Sequence, residues 1–169
     1  MLSIIETKKL KDITERILHV PGNYTGGILE MTLVLDFRLK KEYIKVTAEE
    51  IVKALKSKGE IFRNVRLNVV YWKSDEQIIN EVTAMSCLLT DSFYEDFAVE
   101  DYEKQVEILM EYLKKFHARS KLIIIISDDF AVRDAARFKV SVTPFLERKS
   151  ILVKRNVCYD LYRDFKSIT

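Results

Sequence analysis

The chain has 169 residues, a net charge of +2, and only four glycines, two prolines, two histidines and two cysteines. This length corresponds to one domain, and 48% apolar with 32% charged residues is typical of a globular protein. So few histidines and cysteines exclude a zinc ribbon or a disulfide framework, and the nearly neutral charge argues against a general nucleic-acid binder. We therefore expect a single domain over residues 1–169, built from regular elements joined by short polar turns.

The first 25 residues are predicted to form an N-terminal helical extension. Leu10, Ile13 and Ile17 recur at helical spacing, and Pro21 ends the pattern. Lysines interrupt the apolar residues, so we do not expect a secretory signal. No stretch approaches 18 apolar residues, and two thiols do not require an oxidising compartment, so we expect a cytoplasmic protein without a membrane span.

Four apolar or alternating segments are predicted to be strands: Ile28–Leu35, Val65–Tyr71, Lys121–Ser127 and Ile151–Lys154. The segment Lys121–Ser127 carries four consecutive isoleucines, which is typical of a strand that is buried on both faces. After the second strand, Gln77–Glu81 is predicted to return as a short antiparallel edge strand.

Helical patterns separate these strands. Thr47 and Glu50 have the spacing of a capping box, which predicts a helix that begins there and ends at Gly59. Further helices are predicted over three stretches: Tyr102–Phe116, the first half of 130–149, and Asp160–Ser167.

Strands that alternate with helices predict an α/β fold. We expect a three-layer αβα sandwich, Rossmann-like, whose central sheet is mostly parallel with one short antiparallel edge strand. Ile28–Leu35 and Lys121–Ser127 should be adjacent and parallel, because both are predicted to be covered on two faces. In such sheets ligands bind outside the carboxyl ends of the strands, and here Asp36, Asp128 and Asp129 follow two of them.

The order of these segments resembles the von Willebrand factor A fold over about residues 26–157. The resemblance rests on a first strand ending Leu-Val-Leu-Asp, on the strand Arg-Leu-Asn-Val-Val-Tyr-Trp with its hairpin, on a long amphipathic helix, and on Lys-Leu-Ile-Ile-Ile-Ile-Ser-Asp-Asp. It implies a domain for protein–protein interaction, often within larger assemblies. It also implies a divalent cation held by an Asp-x-Ser-x-Ser motif, a loop Thr and an Asp after the fourth strand. Asp36 and Asp128 match the two acids.

The other ligands of that family site do not match. Arg38 and Lys40 stand at the two serine positions, and no Gly-Gly-Thr precedes Tyr102. Mg²⁺ needs six oxygen ligands, whereas Arg and Lys supply only donors and repel a cation. We therefore expect no cofactor and a degenerate site in which Arg38 or Lys40 neutralises the acids. A metal held by Asp36 and Asp128 through water and backbone oxygens, or acids that merely cap the following helices, are the alternatives.

The candidate site thus contains Asp36, Arg38, Lys40, Asp128 and Asp129, with no catalytic residue assigned. The predicted function is a non-enzymatic module that binds a protein partner and no nucleic acid. The alternative is a metal-dependent phosphodiester hydrolase that uses the three aspartates, since acids at strand ends also build such enzymes. Aromatic residues among nearby acids are predicted to pack on the core or to anchor a partner: Phe93, Tyr94, Phe97 and Tyr102.

Overall fold

A six-stranded, mostly parallel sheet organises the chain in a computed structural model, which describes residues 1–19, 27–57, 59–100, 102, 104–128 and 144–164. The helices are α1 (Ile4–His19), α2 (Lys41–Lys56), α3 (Val106–Phe116) and α4 (Pro144–Arg148). The strands are β1 (Leu29–Asp36), β2 (Val65–Trp72), β3 (Ile78–Thr83), β4 (Leu122–Ile126), β5 (Ser150–Lys154) and β6 (Val157–Asp160). The fold class is therefore α/β, as predicted.

The strand order is β3-β2-β1-β4-β5-β6. β1 pairs in parallel with both β2 and β4, and β4 pairs in parallel with β5. Leu33 lies opposite Val69 on one side and Ile124 on the other. The prediction that the first and the isoleucine-rich strands are parallel neighbours is confirmed, and so is the antiparallel edge strand after β2.

Two buried apolar clusters lie on opposite faces of the sheet, because successive side chains of a strand point to opposite faces. α1 and α2 share one cluster with residues such as Leu33 and Ile124. α3 shares the other with their neighbours Val34 and Ile125. Since buried side chains of α1 belong to the first cluster, the N-terminal helix is part of the core.

The start of α2 differs from the prediction. The helix begins at Lys41, and Thr47 is fully buried inside it. The apolar stripe of this helix starts one turn earlier than the capping-box pattern indicates, because Ile44 is also buried against the core. Burial of that turn outweighs a local cap, and Lys40, the residue before the helix, makes no side-chain capping bond.

The end of the described chain also differs from the prediction. Val157–Asp160 is an antiparallel strand on β5, where a helix was expected to start at Asp160. Arg155 and Asn156 form the turn with φ of 51° and 65°. Two residues with positive φ are typical of the tight hairpin turn that matches strand twist, and Asn156 was the sequence signal for it. Residues 165–167 of the expected helix lie outside the described residues.

The helix expected in the first half of 130–149 lies outside the described residues, which resume with α4. The segment 82–99, for which the sequence indicates no clear element, contains 3-10 turns at Met85–Leu89 and Asp91–Tyr94.

In the described part of the chain, no helix is both long and apolar enough to span a bilayer.

The aromatic side chains of this segment pack together. Phe93, Tyr94 and Phe97 contact one another with ring centroids 4.9–5.5 Å apart, and Phe97 also contacts Phe37 and Tyr71. Tyr94 is buried, and its hydroxyl donates to the Leu88 carbonyl oxygen at 2.6 Å. Packing on the core is therefore confirmed for these three residues, because they join the cluster that contains α1 and α2. Tyr102 remains exposed.

A bidentate ion pair joins α1 to the end of β6. Arg16 donates from Nε and Nη2 to the two carboxylate oxygens of Asp160, at 2.8 and 2.9 Å, and the Asp160 side chain is 3% exposed. We predict that Arg16→Lys lowers the free energy of unfolding by about 1–2 kcal/mol, because an ammonium keeps the charge but loses the two-pronged geometry. Urea denaturation measures the change.

The matched control is Arg155→Lys. Because its partner Asp128 is far more exposed, this variant should change stability by less than about 0.5 kcal/mol. Equal losses in the two variants would contradict the prediction.

Candidate functional site

Asp36 ends β1 at the carboxyl edge of the sheet, and its side chain is 4% exposed. Its Oδ1 accepts hydrogen bonds from Lys104 Nζ at 2.5 Å and from the Arg38 backbone N–H at 2.9 Å. Its Oδ2 accepts a hydrogen bond from Ser127 Oγ at 2.7 Å. Both oxygens of this buried carboxylate are therefore bonded to donors of the chain itself, as a buried charge requires.

Lys104 supplies the positive charge of the site. Its side chain is 1% exposed, and Nζ also donates to the Trp72 carbonyl oxygen at 2.7 Å. The same ammonium lies 5.1 Å from the centroid of the Trp72 ring, within the range of a cation–π interaction. Lys104 thus connects the ends of β1 and β2 to the segment that leads into α3.

The prediction that Arg38 or Lys40 neutralises Asp36 was wrong. The sequence pattern favours Arg38 or Lys40, but the ammonium that bonds the carboxylate belongs to Lys104. Arg38 reaches Asp36 with its backbone N–H, and Lys40 is exposed at the residue before α2. After β1 the chain turns into α2, so the side chain of Lys40 is carried outward while the distant Lys104 folds over the strand end.

Asp128 follows β4 and has a different environment. Its Oδ1 accepts from Arg155 Nε at 2.8 Å, and the two side chains are 40% and 69% exposed. A pair this exposed contributes little to stability. Asp129, the third predicted acid of the site, lies outside the described residues.

The hydrogen bonds of Asp36 show whether its oxygens are free to coordinate a divalent cation. A hard cation beside Asp36 needs free oxygen ligands at about 2.0–2.1 Å in octahedral geometry. Here Oδ1 bonds an ammonium and Oδ2 bonds a hydroxyl. Because a buried ammonium repels a second cation at the same oxygen, the described residues around Asp36 do not fit Mg²⁺.

One sequence signal for Lys104 was available. It is the only basic residue between Lys73 and Lys114, a stretch that is rich in acids. A single base among many acids is a candidate for an internal ion pair. Nothing in the local pattern links it to Asp36, which lies 68 positions earlier.

Two open cavities lie at the same edge of the sheet. One, of about 480 Å³, is lined by α2 and the 3-10 turn at Asp91–Tyr94. On its wall Lys45 Nζ lies 2.6 Å from Asp91 Oδ1, and this hydrogen bond raises the pKa of Lys45 and lowers that of Asp91. The other cavity, of about 580 Å³, is lined by residues 74–77 and by Tyr102, which is 57% exposed.

The fold and this site define an α/β protein with a buried aspartate–lysine pair at the carboxyl edge of its sheet. Comparisons with models of known families, with curated proteins and with solved structures find no match to the chain.

Proposed function

We propose that the chain is a non-enzymatic protein–protein interaction or assembly module, built on a three-layer scaffold similar to the von Willebrand A fold. The order β3-β2-β1-β4-β5 with an antiparallel β3 supports the scaffold, since it places the first strand between the second and the fourth. Apolar clusters on both faces of the sheet support the three layers. At the edge of the sheet opposite β3, the antiparallel pairing of β6 with β5 differs from an arrangement in which all strands on that side are parallel.

The observation that carries the proposal is the Lys104–Asp36 pair. In the family that the sequence resembles, a divalent ion stands beside the corresponding acid. Here a buried ammonium bonds that acid and the Trp72 carbonyl, so the positive charge is supplied by the chain itself. A lysine in this place holds the strand ends together and offers no open coordination position for a substrate, which favours a binding role over metal-dependent hydrolysis.

The proposed partner surface is the carboxyl edge of the sheet around Tyr102. Exposed aromatic residues are common anchors of protein interfaces, and Tyr102 stands beside the acidic residues Asp75 and Glu76 on the wall of one cavity. Lys104, two positions after Tyr102, is held by the buried ion pair, so the segment that presents Tyr102 is fixed at one point. We therefore propose a protein partner with a basic face.

Quantitative affinity purification from the native host tests this surface with a matched control. Tyr102→Ala should lose the partners that the wild type retains, because it removes the exposed ring at the proposed edge. The control is Tyr162→Ala, which removes a ring of similar exposure. Tyr162 follows β6 and lies near the amino end of β5, so this variant should retain the partners. Equal retention by both variants, or loss from both, would overturn the proposal.

Metal addition separates the module from the hydrolase. We predict that thermal melts with and without millimolar Mg²⁺, Mn²⁺ or Ca²⁺ coincide, since an ion stabilises a fold only by binding it. A rise of several degrees with one ion, together with cleavage of a phosphodiester that is lost in Asp36→Asn, would refute the prediction and establish the enzyme instead.

A further inference from the structure

The sheet face that packs on α3 becomes polar toward the amino ends of its strands. In β1, the buried Val34 is preceded on the same face by Thr32, and in β2 Val70 is preceded by Asn68. α3 ends at Phe116. A cavity of about 510 Å³ lies between these polar positions and the end of the helix, which is within the size range of small-molecule sites.

Basic residues dominate the charge of this cavity. Arg66, Lys115 and Arg119 line it together with a single acid, Glu30. Arg66 Nε already lies 3.3 Å from Glu30 Oε1, so these two charges offset each other. The excess therefore comes from Lys115 and Arg119 at the rim, and it favours an anionic ligand.

An aromatic wall stands beside these charges. Tyr112 and Phe116 line the cavity with their ring centroids 4.9 Å apart, and Phe116 is 60% exposed. Burial raises the pKa of Tyr112 further above its ordinary value, and its neutral hydroxyl can donate a hydrogen bond. Exposed aromatic faces beside a cation bind flat rings, since stacking removes apolar area from water.

A buried histidine on the wall has an unused ring nitrogen. His117 is 3% exposed, and its Nδ1 lies 3.3 Å from Thr32 Oγ1, which in turn lies 2.5 Å from Ser120 Oγ. Among the described residues, no hydrogen-bond partner is found for His117 Nε2. An unpaired buried polar atom costs free energy, and a partner from a bound molecule would remove that cost.

We propose that this cavity binds a small organic anion in which a flat ring carries a phosphate or carboxylate group. The anionic group lies at Lys115 and Arg119, the ring lies against Tyr112 and Phe116, and polar atoms of the ring face His117. The site is distinct from the proposed partner surface, because Glu30 and Asp36 are six positions apart along β1, a distance of about 20 Å.

Isothermal titration calorimetry with the full chain tests the proposal. The probes are adenosine 5′-monophosphate and benzoate, which share a ring and an anionic group but differ in the kind of anion. At least one should bind with a Kd below about 1 mM. Adenosine and inorganic phosphate each lack one half of the ligand and should bind at least about tenfold more weakly. Failure of both probes to bind, or equal affinity for inorganic phosphate, would overturn the proposal.

Charge variants locate the binding. Lys115→Ala combined with Arg119→Ala should raise the Kd about tenfold or more, because it removes the excess charge of the rim. Lys8→Ala combined with Lys11→Ala removes the same charge from α1, on the opposite face of the sheet, and should leave the Kd unchanged. Addition of the binding probe should also shift the ring signals of His117 in NMR spectra. Equal weakening in the two double variants, or unshifted His117 signals, would contradict this site.

Discussion

Lys104→Met should lower the free energy of unfolding by about 3–5 kcal/mol. The Asp36 and Lys104 side chains are 4% and 1% exposed, so removing the ammonium leaves a buried carboxylate without its charge partner. Urea denaturation at neutral pH measures the loss. The control is Lys40→Met, which removes a lysine from an exposed position near the same strand end and should cost less than about 0.5 kcal/mol.

The double variant shows whether the loss comes from the pair. When Asp36→Asn accompanies Lys104→Met, the uncompensated charge is gone, and the double variant should be more stable than Lys104→Met alone. Such coupling reports contact between the two positions and is not produced by general damage to the fold. Additive losses, or a Lys104→Met variant as stable as the wild type, would refute the internal cation and with it the proposed replacement of a metal.

Acidification from pH 6.5 to 4 should destabilise the protein by up to about 3 kcal/mol through His117 alone. Burial lowers the pKa of His117 from 6.5 to about 4, and each pKa unit corresponds to about 1.4 kcal/mol. Between these two values the unfolded chain binds a proton that the folded chain does not, so stability falls as the pH falls. From about one pH unit above 6.5, His117 is almost entirely neutral in both states and contributes little pH dependence.

The measurement is the difference between two proteins, since carboxylates also titrate in this range. Urea denaturation of wild type and His117→Gln at several pH values should show a steeper acid loss in the wild type. His19→Gln, a control at the exposed end of α1, should lose stability on acidification as steeply as the wild type does. Identical slopes in wild type and His117→Gln would contradict the prediction, because they would mean that folding does not lower the pKa of His117.

The strands illustrate what local sequence predicts well. Four consecutive isoleucines are typical of a strand that is buried on both faces, which places β4 in the middle of the sheet. The pattern therefore predicts both β4 and its position beside β1. Short edge elements depend on weaker signals. The β5–β6 hairpin depends on a two-residue turn at Arg155 and Asn156, and Asp160, the last residue of β6, was predicted to begin a helix.

The sequence by itself determined the α/β class, the parallel centre of the sheet and the position of Asp36 at a strand end, because periodicity and burial act over a few neighbouring residues. Only the tertiary structure decided which base neutralises that acid. Lys104 lies 68 positions from Asp36, and its ammonium reaches the carboxylate because the segment before α3 crosses the ends of β1 and β2. The gathering of His117, Thr32 and Ser120 was likewise decided by packing, since the end of α3 meets β1 only in the folded sheet. Electrostatic pairing depends on distance in space, and a local pattern carries no information about it.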